Sequence, residues 1–216
     1  MIKMKKIFLL SLFTGLFLAG CCSSELTNLS DLKQEIINYH ESGGYDNDLD
    51  KAVAEAKEEF GKIAFTEKSV VVFDVDETAL QNYEINKALD FGYVLAPWEE
   101  WVKEANAPAI KQVKELYDFL LQKGSKIIFL TGRGIDEYEP TIKNLKEQGY
   151  AEFDTLITRS EEETDLSALN YKTAKRIALV KQGYKIEGTV GDQWSDLKGE
   201  YHGIQVKLPN YIYKID

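Results

Sequence analysis

Ser69-Val70-Val71-Val72-Phe73-Asp74-Val75-Asp76-Glu77-Thr78 joins an unbroken apolar, β-branched run to a cluster of acids and a hydroxyl. Strands that alternate apolar and polar residues have one wet face. A run without alternation is the pattern of a strand covered on both faces, as in a parallel sheet. Three more runs of this kind follow: Lys126–Leu130 (K-I-I-F-L), Thr155–Thr158 (T-L-I-T) and Glu187–Val190 (E-G-T-V). Gly203–Leu208 adds a candidate fifth strand. Helical periodicity occupies the intervals at Ala109–Lys123, Glu137–Gln148 and Lys172–Gln182. Strands alternating with helices of this length predict βαβ units, hence an α/β fold with a parallel sheet and helices on both faces. Upstream, Asp31–His40 and Leu49–Ile63 predict an N-terminal helical extension, broken at Gly43-Gly44.

The first residues follow a different logic. Lys3, Lys5 and Lys6 precede an apolar stretch from Ile7 to Gly20, the charged and hydrophobic regions of a secretory signal peptide. The stretch falls short of the ~20 residues a membrane-spanning helix needs. Leu18-Ala19-Gly20-Cys21 resembles a bacterial lipobox, in which the cysteine after the cut carries a lipid. The expected organisation is a lipoprotein signal peptide at 1–20, a tether at 21–30 with lipidated Cys21, and a single domain at 31–216. The expected location is the cell envelope, membrane-anchored and outside the cytoplasm. Acyl chains, each stabilised by ~0.8 kcal/mol per buried CH₂, make such an anchor stable.

Losing residues 1–20 with their three lysines moves the formal net charge from −10 to −13. That excess excludes a nucleic-acid partner, because such binding rests on neutralising phosphates with Lys and Arg. It also means that an anionic substrate must be captured by a local positive site. Cys21 and Cys22 are the only cysteines. The remainder of the chain therefore has no disulfide and must be held by its core.

In open α/β sheets, ligands bind beyond the carboxyl ends of the strands. Those ends carry Asp74-Val75-Asp76-Glu77-Thr78, then Thr131-Gly132-Arg133, then Gly191-Asp192-Gln193-Trp194-Ser195-Asp196, with Lys172-Thr173 opening the third helix. Asp-x-Asp-x-Thr alone is also what a helix cap looks like. Four such groups at one edge of one sheet, in this order, resemble the haloacid dehalogenase superfamily of phosphotransferases. Phe73–Leu80, the Trp98/Trp101 pair, Phe129–Arg133, Tyr171-Lys172-Thr173 and Gly191–Leu197 are similar to its acid phosphatase branch, which includes bacterial class C acid phosphatases and plant vegetative storage proteins. The likeness runs from about Leu29 to the end of the chain. It implies a Rossmann-like core without a large cap, and Mg²⁺-dependent hydrolysis of phosphate monoesters at mildly acidic pH.

What the resemblance implies for single residues has a chemical rationale. Asp74 is the nucleophile, forming an aspartyl-phosphate and dividing one hard hydrolysis into two easier steps. Asp76 moves the proton to and from the leaving and attacking oxygens. Asp74 and Asp192 through side chains, and Asp76 through its carbonyl, hold Mg²⁺, a hard cation that takes oxygen ligands. Thr131, Gly132 and Lys172 bind the phosphate, Lys172 from a helix N-terminus whose dipole also favours an anion. Asp196 orients Lys172 or a metal-bound water from behind. Arg133 touches substrate or pairs with a carboxylate, and the residues alone do not choose.

Gln193-Trp194 and Thr131-Gly132-Arg133 lie closer to the plant storage proteins than to the class C enzymes, so a 5′-nucleotidase activity stays an open alternative. Substrate recognition falls to residues 78–108, where Tyr83 and Trp98 are candidates for stacking on a flat leaving group. One member of the Trp98/Trp101 pair is expected in the core. Two rivals stay open: phosphotransfer to alcohols, and a non-catalytic surface binding or storage lipoprotein. A histidine phosphatase is excluded, since neither His40 nor His202 lies in an Arg-His-Gly context.

Overall fold

A computed structural model describes residues 26–215. The expected signal peptide and the lipidated Cys21 lie outside the described residues. Two helices open the fold, α1 (Leu29–Glu41) and α2 (Gly44–Gly61), the first capped by the Asn28 side chain, which accepts from Ser30 N at 2.8 Å. The break at Gly43-Gly44 falls where expected, and Gly43 adopts the left-handed φ of 87° that the reversal needs. The second helix begins there and not at Leu49, while the first opens two residues before the expected domain start at Asp31.

Five parallel strands follow: β1 (Ser69–Phe73), β2 (Lys126–Gly134), β3 (Thr155–Arg159), β4 (Lys185–Gly191) and β5 (Ile204–Lys207), in spatial order β3-β2-β1-β4-β5. Between β1 and β2 come α3 (Tyr83–Ala88), α4 (Leu95–Glu104) and α5 (Lys111–Gln122). Helices α6 (Tyr138–Glu147), α7 (Ala168–Lys181) and α8 (Trp194–Leu197) complete the chain. β1 is central, and all five of its residues are buried, as its unbroken apolar run requires.

Alternate residues of a strand face opposite sides, and the two sides here are unequal. Val71 and Phe73 of β1, with Ile127 and Phe129 of β2, enter a large core against α2, α5 and Leu145 of α6. Val113, Leu116, Tyr117 and Leu120 of α5 recur at helical spacing and are all buried there. Val70, Val72, Ile128 and Leu130 face a smaller cluster closed by Tyr171 and Leu179 of α7. Phe60 of α2 sits over Gly188, where a Cβ would fall 2.5 Å from its ring, so the glycine admits the aromatic. Burying that ring contributes about 2–3 kcal/mol. This packing sets α2 and α7 on opposite faces and leaves the carboxyl edge of the sheet open.

Two boundaries differ from the sequence reading in ways that matter. α7 starts at Ala168, capped by the Ser167 side chain accepting from Asn170 N, so Lys172 lies one turn inside the helix and not at its N-terminus. Its help to an anion is therefore that of its own charge, because the dipole acts within the first turn. β2 runs on to Gly134, four residues past Leu130, which holds Thr131-Gly132-Arg133 in extended backbone at the sheet edge.

Candidate active site

The carboxyl edge of the sheet gathers the acids. Asp74 follows β1, its amide donating to Val190 O at 2.9 Å, and Asp192 follows β4. The backbone turns sharply after Asp74: Leu80 N donates to Val75 O at 2.9 Å, and Glu77 takes a left-handed φ of 52°. That turn buries Val75 and brings Asp74 and Asp76 to one cavity.

Asp74, Asp192 and Asp196 are all buried, and one carboxylate oxygen from each lies within 4.8 Å of the others. Lys172, 5% exposed, donates from Nζ to Asp74 Oδ1 and to Asp196 Oδ1 at 2.5 Å each. Asp196 comes this close because Gly191 has no side chain: a Cβ there would stand 2.4 Å from Asp196 Oδ2. Burial pushes the Asp74 carboxyl well above its ordinary range; Lys172 opposes the shift, and Asp196, Asp192 and Asp76 add to it. Asp192 is pushed up to about 7, by burial first and by Asp196 and Glu77 next. Glu77 is likewise raised to about 7 by burial and by Asp76. Lys172 stands above its ordinary value, because Asp196 and Asp74 outweigh the pull of burial. Three clustered carboxylates with one ammonium lack positive charge. An all-oxygen, buried donor set of this kind fits a hard divalent cation.

Asp76 is engaged elsewhere. Arg133 donates from Nη2 to Asp76 Oδ1 at 2.7 Å and from Nε to Oδ2 at 3.1 Å, and its Nη1 reaches Thr141 Oγ1 at 2.9 Å. Asn82 Nδ2 adds a bond to Asp76 Oδ1 at 2.8 Å, and Trp101 Nε1 in turn donates to Asn82 Oδ1. Asp76 is therefore ion-paired outside the three-carboxylate cluster, while still lining the same cavity as Asp74. The choice left open for Arg133 falls on a carboxylate.

A cavity of 620 Å³ opens above these residues, lined by seven carboxylates and three cations, Arg133, Arg159 and Lys172. Gly132, Lys172 and Trp98 are in its wall. Trp98 donates from Nε1 to Glu137 Oε1 at 3.2 Å and lies 5.7 Å from the Arg133 guanidinium, while Trp101 packs against the core. Thr131 is fully buried beneath the wall, its Oγ1 accepting from Arg133 N at 3.1 Å. Tyr83 does not line this cavity. Its ring stacks on His40 at 4.3 Å and its hydroxyl donates to Glu41 at 3.2 Å, because α3 packs toward the N-terminal helices. The stacking role expected of Tyr83 is accordingly withdrawn.

Two residues escaped the sequence reading. Asn210 Nδ2 donates to Asp192 Oδ2 at 2.6 Å, and the Tyr213 hydroxyl donates to Glu77 Oε2. Both follow the fifth strand at the same sheet edge as the motifs, and that position was the available signal.

The family model for HAD superfamily, subfamily IIIB (acid phosphatase) matches residues 24–216. The chain belongs to that subfamily. Among its relatives, a stem 28 kDa glycoprotein of Glycine max is 40% identical over 68% of this chain and 61% of its own length. Acid phosphatase 1 of Solanum lycopersicum is 34% identical over 80% of this chain and 70% of its own length. The chain spans 51–61% of the length of the three soybean stem glycoproteins it matches. Among solved structures, the class C acid phosphatase of Bacillus anthracis superposes with a TM-score of 0.71 at 21% identity, covering 86% of each chain. At that identity the likeness is one of fold, and it agrees with the Rossmann-like core of haloacid dehalogenase type expected from the motifs. No helix among the described residues is long and apolar enough to cross a membrane.

Proposed function

We propose that this chain hydrolyses phosphate monoesters with the Asp74 carboxylate as nucleophile. The observation that carries the reading is the buried cluster of Asp74, Asp192 and Asp196 around Lys172 on the floor of the cavity. Asp74 and Asp192, with the Asp76 carbonyl, would hold Mg²⁺. The ion, when bound, supplies positive charge that lets an anionic carboxylate meet an anionic phosphate.

The remaining chemistry belongs to the chain. Lys172 bonds Asp74 through Oδ1, so Oδ2 is the oxygen free to attack. The Asp74 Oδ2–phosphorus bond forms as the bond to the leaving oxygen breaks, and Asp76 gives that oxygen a proton. Water then attacks phosphorus, returns a proton to Asp76, and releases inorganic phosphate as Asp74 is regenerated. Arg133 and Asn82 hold Asp76 at the cavity edge for both transfers. Lys172 and the backbone at Gly132 face the charge that spreads over the phosphoryl oxygens.

The test is turnover of para-nitrophenyl phosphate with and without EDTA, beside Asp74→Asn. Loss of activity in EDTA, its return with Mg²⁺, and no turnover by Asp74→Asn are expected. Activity indifferent to EDTA, or kept by Asp74→Asn, would sink the mechanism. Alcohol acceptors added to the same assay separate hydrolysis from phosphotransfer, and nucleoside monophosphates set against sugar phosphates address a 5′-nucleotidase activity. The intact set Asp74, Asp76, Lys172 and Asp192 speaks against a storage protein with a relic site. Export and anchoring rest on the sequence at Leu18–Cys21, and a Cys21→Ser chain released from membranes is the expected outcome.

A further inference from the structure

The three carboxylates of the cluster are not held alike. Asp74 and Asp196 share the ammonium of Lys172. Asp192, among the described residues, has no cationic partner within ion-pair distance and is held by neutral donors instead. Asn210 Nδ2 and Gln193 Nε2 both donate to its Oδ2 at 2.6 Å, and the Thr78 hydroxyl lies 3.3 Å from its Oδ1. Two amides on one oxygen fix the rotamer, and the other oxygen takes the longer bond from Thr78. Neutral donors orient a carboxylate without placing a competing positive charge beside it, so a cation meets no rival counter-ion at Asp192.

The Asn210 amide is itself built in. The chain leaves β5 through Leu208, whose amide donates to Gly191 O at 2.9 Å, and then turns across the sheet edge. Asn210 Oδ1 accepts from Ile212 N at 2.8 Å, which closes a turn on its own side chain. Farther on, Ile215 N donates to Gln193 Oε1 at 3.0 Å and Ser195 Oγ donates to Ile215 O at 3.2 Å. Asn210 and Gln193 thus belong to one clamp, anchored at several points and closing on a single oxygen.

We propose that Asn210 is a positioning residue: the C-terminal segment after β5 exists at this edge to lock Asp192 for a divalent cation. This rests on the metal-dependent reading above for its activity arm only, because cation binding is measured without substrate.

The experiment is calorimetric titration of Mg²⁺ into the metal-stripped purified chain, for wild type, Asn210→Ala and Tyr211→Ala, with thermal unfolding and kcat recorded on each. Asn210→Ala is expected to weaken Mg²⁺ binding about 10- to 100-fold, with most of kcat recovered at saturating Mg²⁺. Tyr211→Ala lies in the same segment but turns outward, 63% exposed, with its ring against Tyr39 at 5.1 Å. It is expected to bind Mg²⁺ as wild type does. Wild-type affinity in Asn210→Ala, or equal weakening in Tyr211→Ala, overturns the proposal. Should Asn210→Ala not fold, Asn210→Ser keeps an oxygen for the turn, loses the reach to Asp192, and is held to the same criterion. A wild type that binds Mg²⁺ without hydrolysing phosphate esters overturns the phosphatase reading and leaves this one standing. A wild type that binds no Mg²⁺ overturns both.

Discussion

Lys172→Met tests the electrostatics of the site, since it keeps the stem and removes only the charge. The ammonium touches Asp74 Oδ1 and Asp196 Oδ1 at 2.5 Å, and the three side chains are 6–9% exposed. With charge centres ~4 Å apart and an effective dielectric of about 20, each attraction is worth ~4 kcal/mol gross. Desolvating the ammonium, which methionine avoids, cancels much of this. The net cost of leaving buried carboxylates without their cation is about 3–5 kcal/mol. The expected result, read from urea unfolding by tryptophan fluorescence in EDTA, is a loss of that size with an unchanged slope. Mg²⁺ should stabilise Lys172→Met more than wild type, because the ion takes over a charge the ammonium used to supply. Turnover should fall about 10²- to 10³-fold, the usual cost of one donor aimed at a developing anion. A stability loss under about 1 kcal/mol, or turnover close to wild type, would refute the assignment of Lys172 as the counter-charge of Asp74.

Two further predictions concern the same edge. Asp192 and Glu77 stand at about 7 in the metal-free fold against about 4 when unfolded, so the folded state binds protons more tightly. Their contribution to stability is complete below about pH 4 and is lost as pH rises toward 7; Asp192→Asn should flatten that slope in EDTA, and urea midpoints of the two proteins that change in parallel between pH 4.5 and 7.5 would contradict it. Gly191→Ala places a methyl 2.4 Å from Asp196 Oδ2 and 2.5 Å from its Cβ, so Asp196 must move and release Lys172. A loss of about 1–3 kcal/mol in thermal unfolding, with reduced para-nitrophenyl phosphate turnover, is expected, and an unaffected protein would show that the contact is not needed.

Much of this edge was legible in the chain because strands announce themselves locally. Val70-Val71-Val72-Phe73 cannot lie on a wet surface, and once it is a central parallel strand Asp74 must stand at the ligand edge. The same reasoning located Asp192, since Gly191 ends β4. Helix starts were harder to read. The true cap of α7 is Ser167, a single hydroxyl after an acidic loop, and Lys172 was therefore placed one turn too early. The partners of the acids were illegible for a different reason. Arg133 reaches Asp76 across 57 positions and Tyr213 reaches Glu77 across 136, and nothing in periodicity encodes such pairs. Tyr83 was misread because the direction of a short helix depends on what it packs against: here α1 draws the ring to His40, away from the cavity.

The charge of the cavity wall bears on how substrate and product travel. Seven carboxylates against three cations leave the cavity with more acidic than basic groups, an excess that a bound divalent cation would reduce. Contact between the organic group of an ester and surfaces such as Trp98 would add to its capture, and the released phosphate, stripped of that group, loses that contact. Added salt, by screening the wall, should speed substrate entry and slow nothing but product escape. Ionic strength thus trades capture against clearance, and a single acidic lining sets both rates.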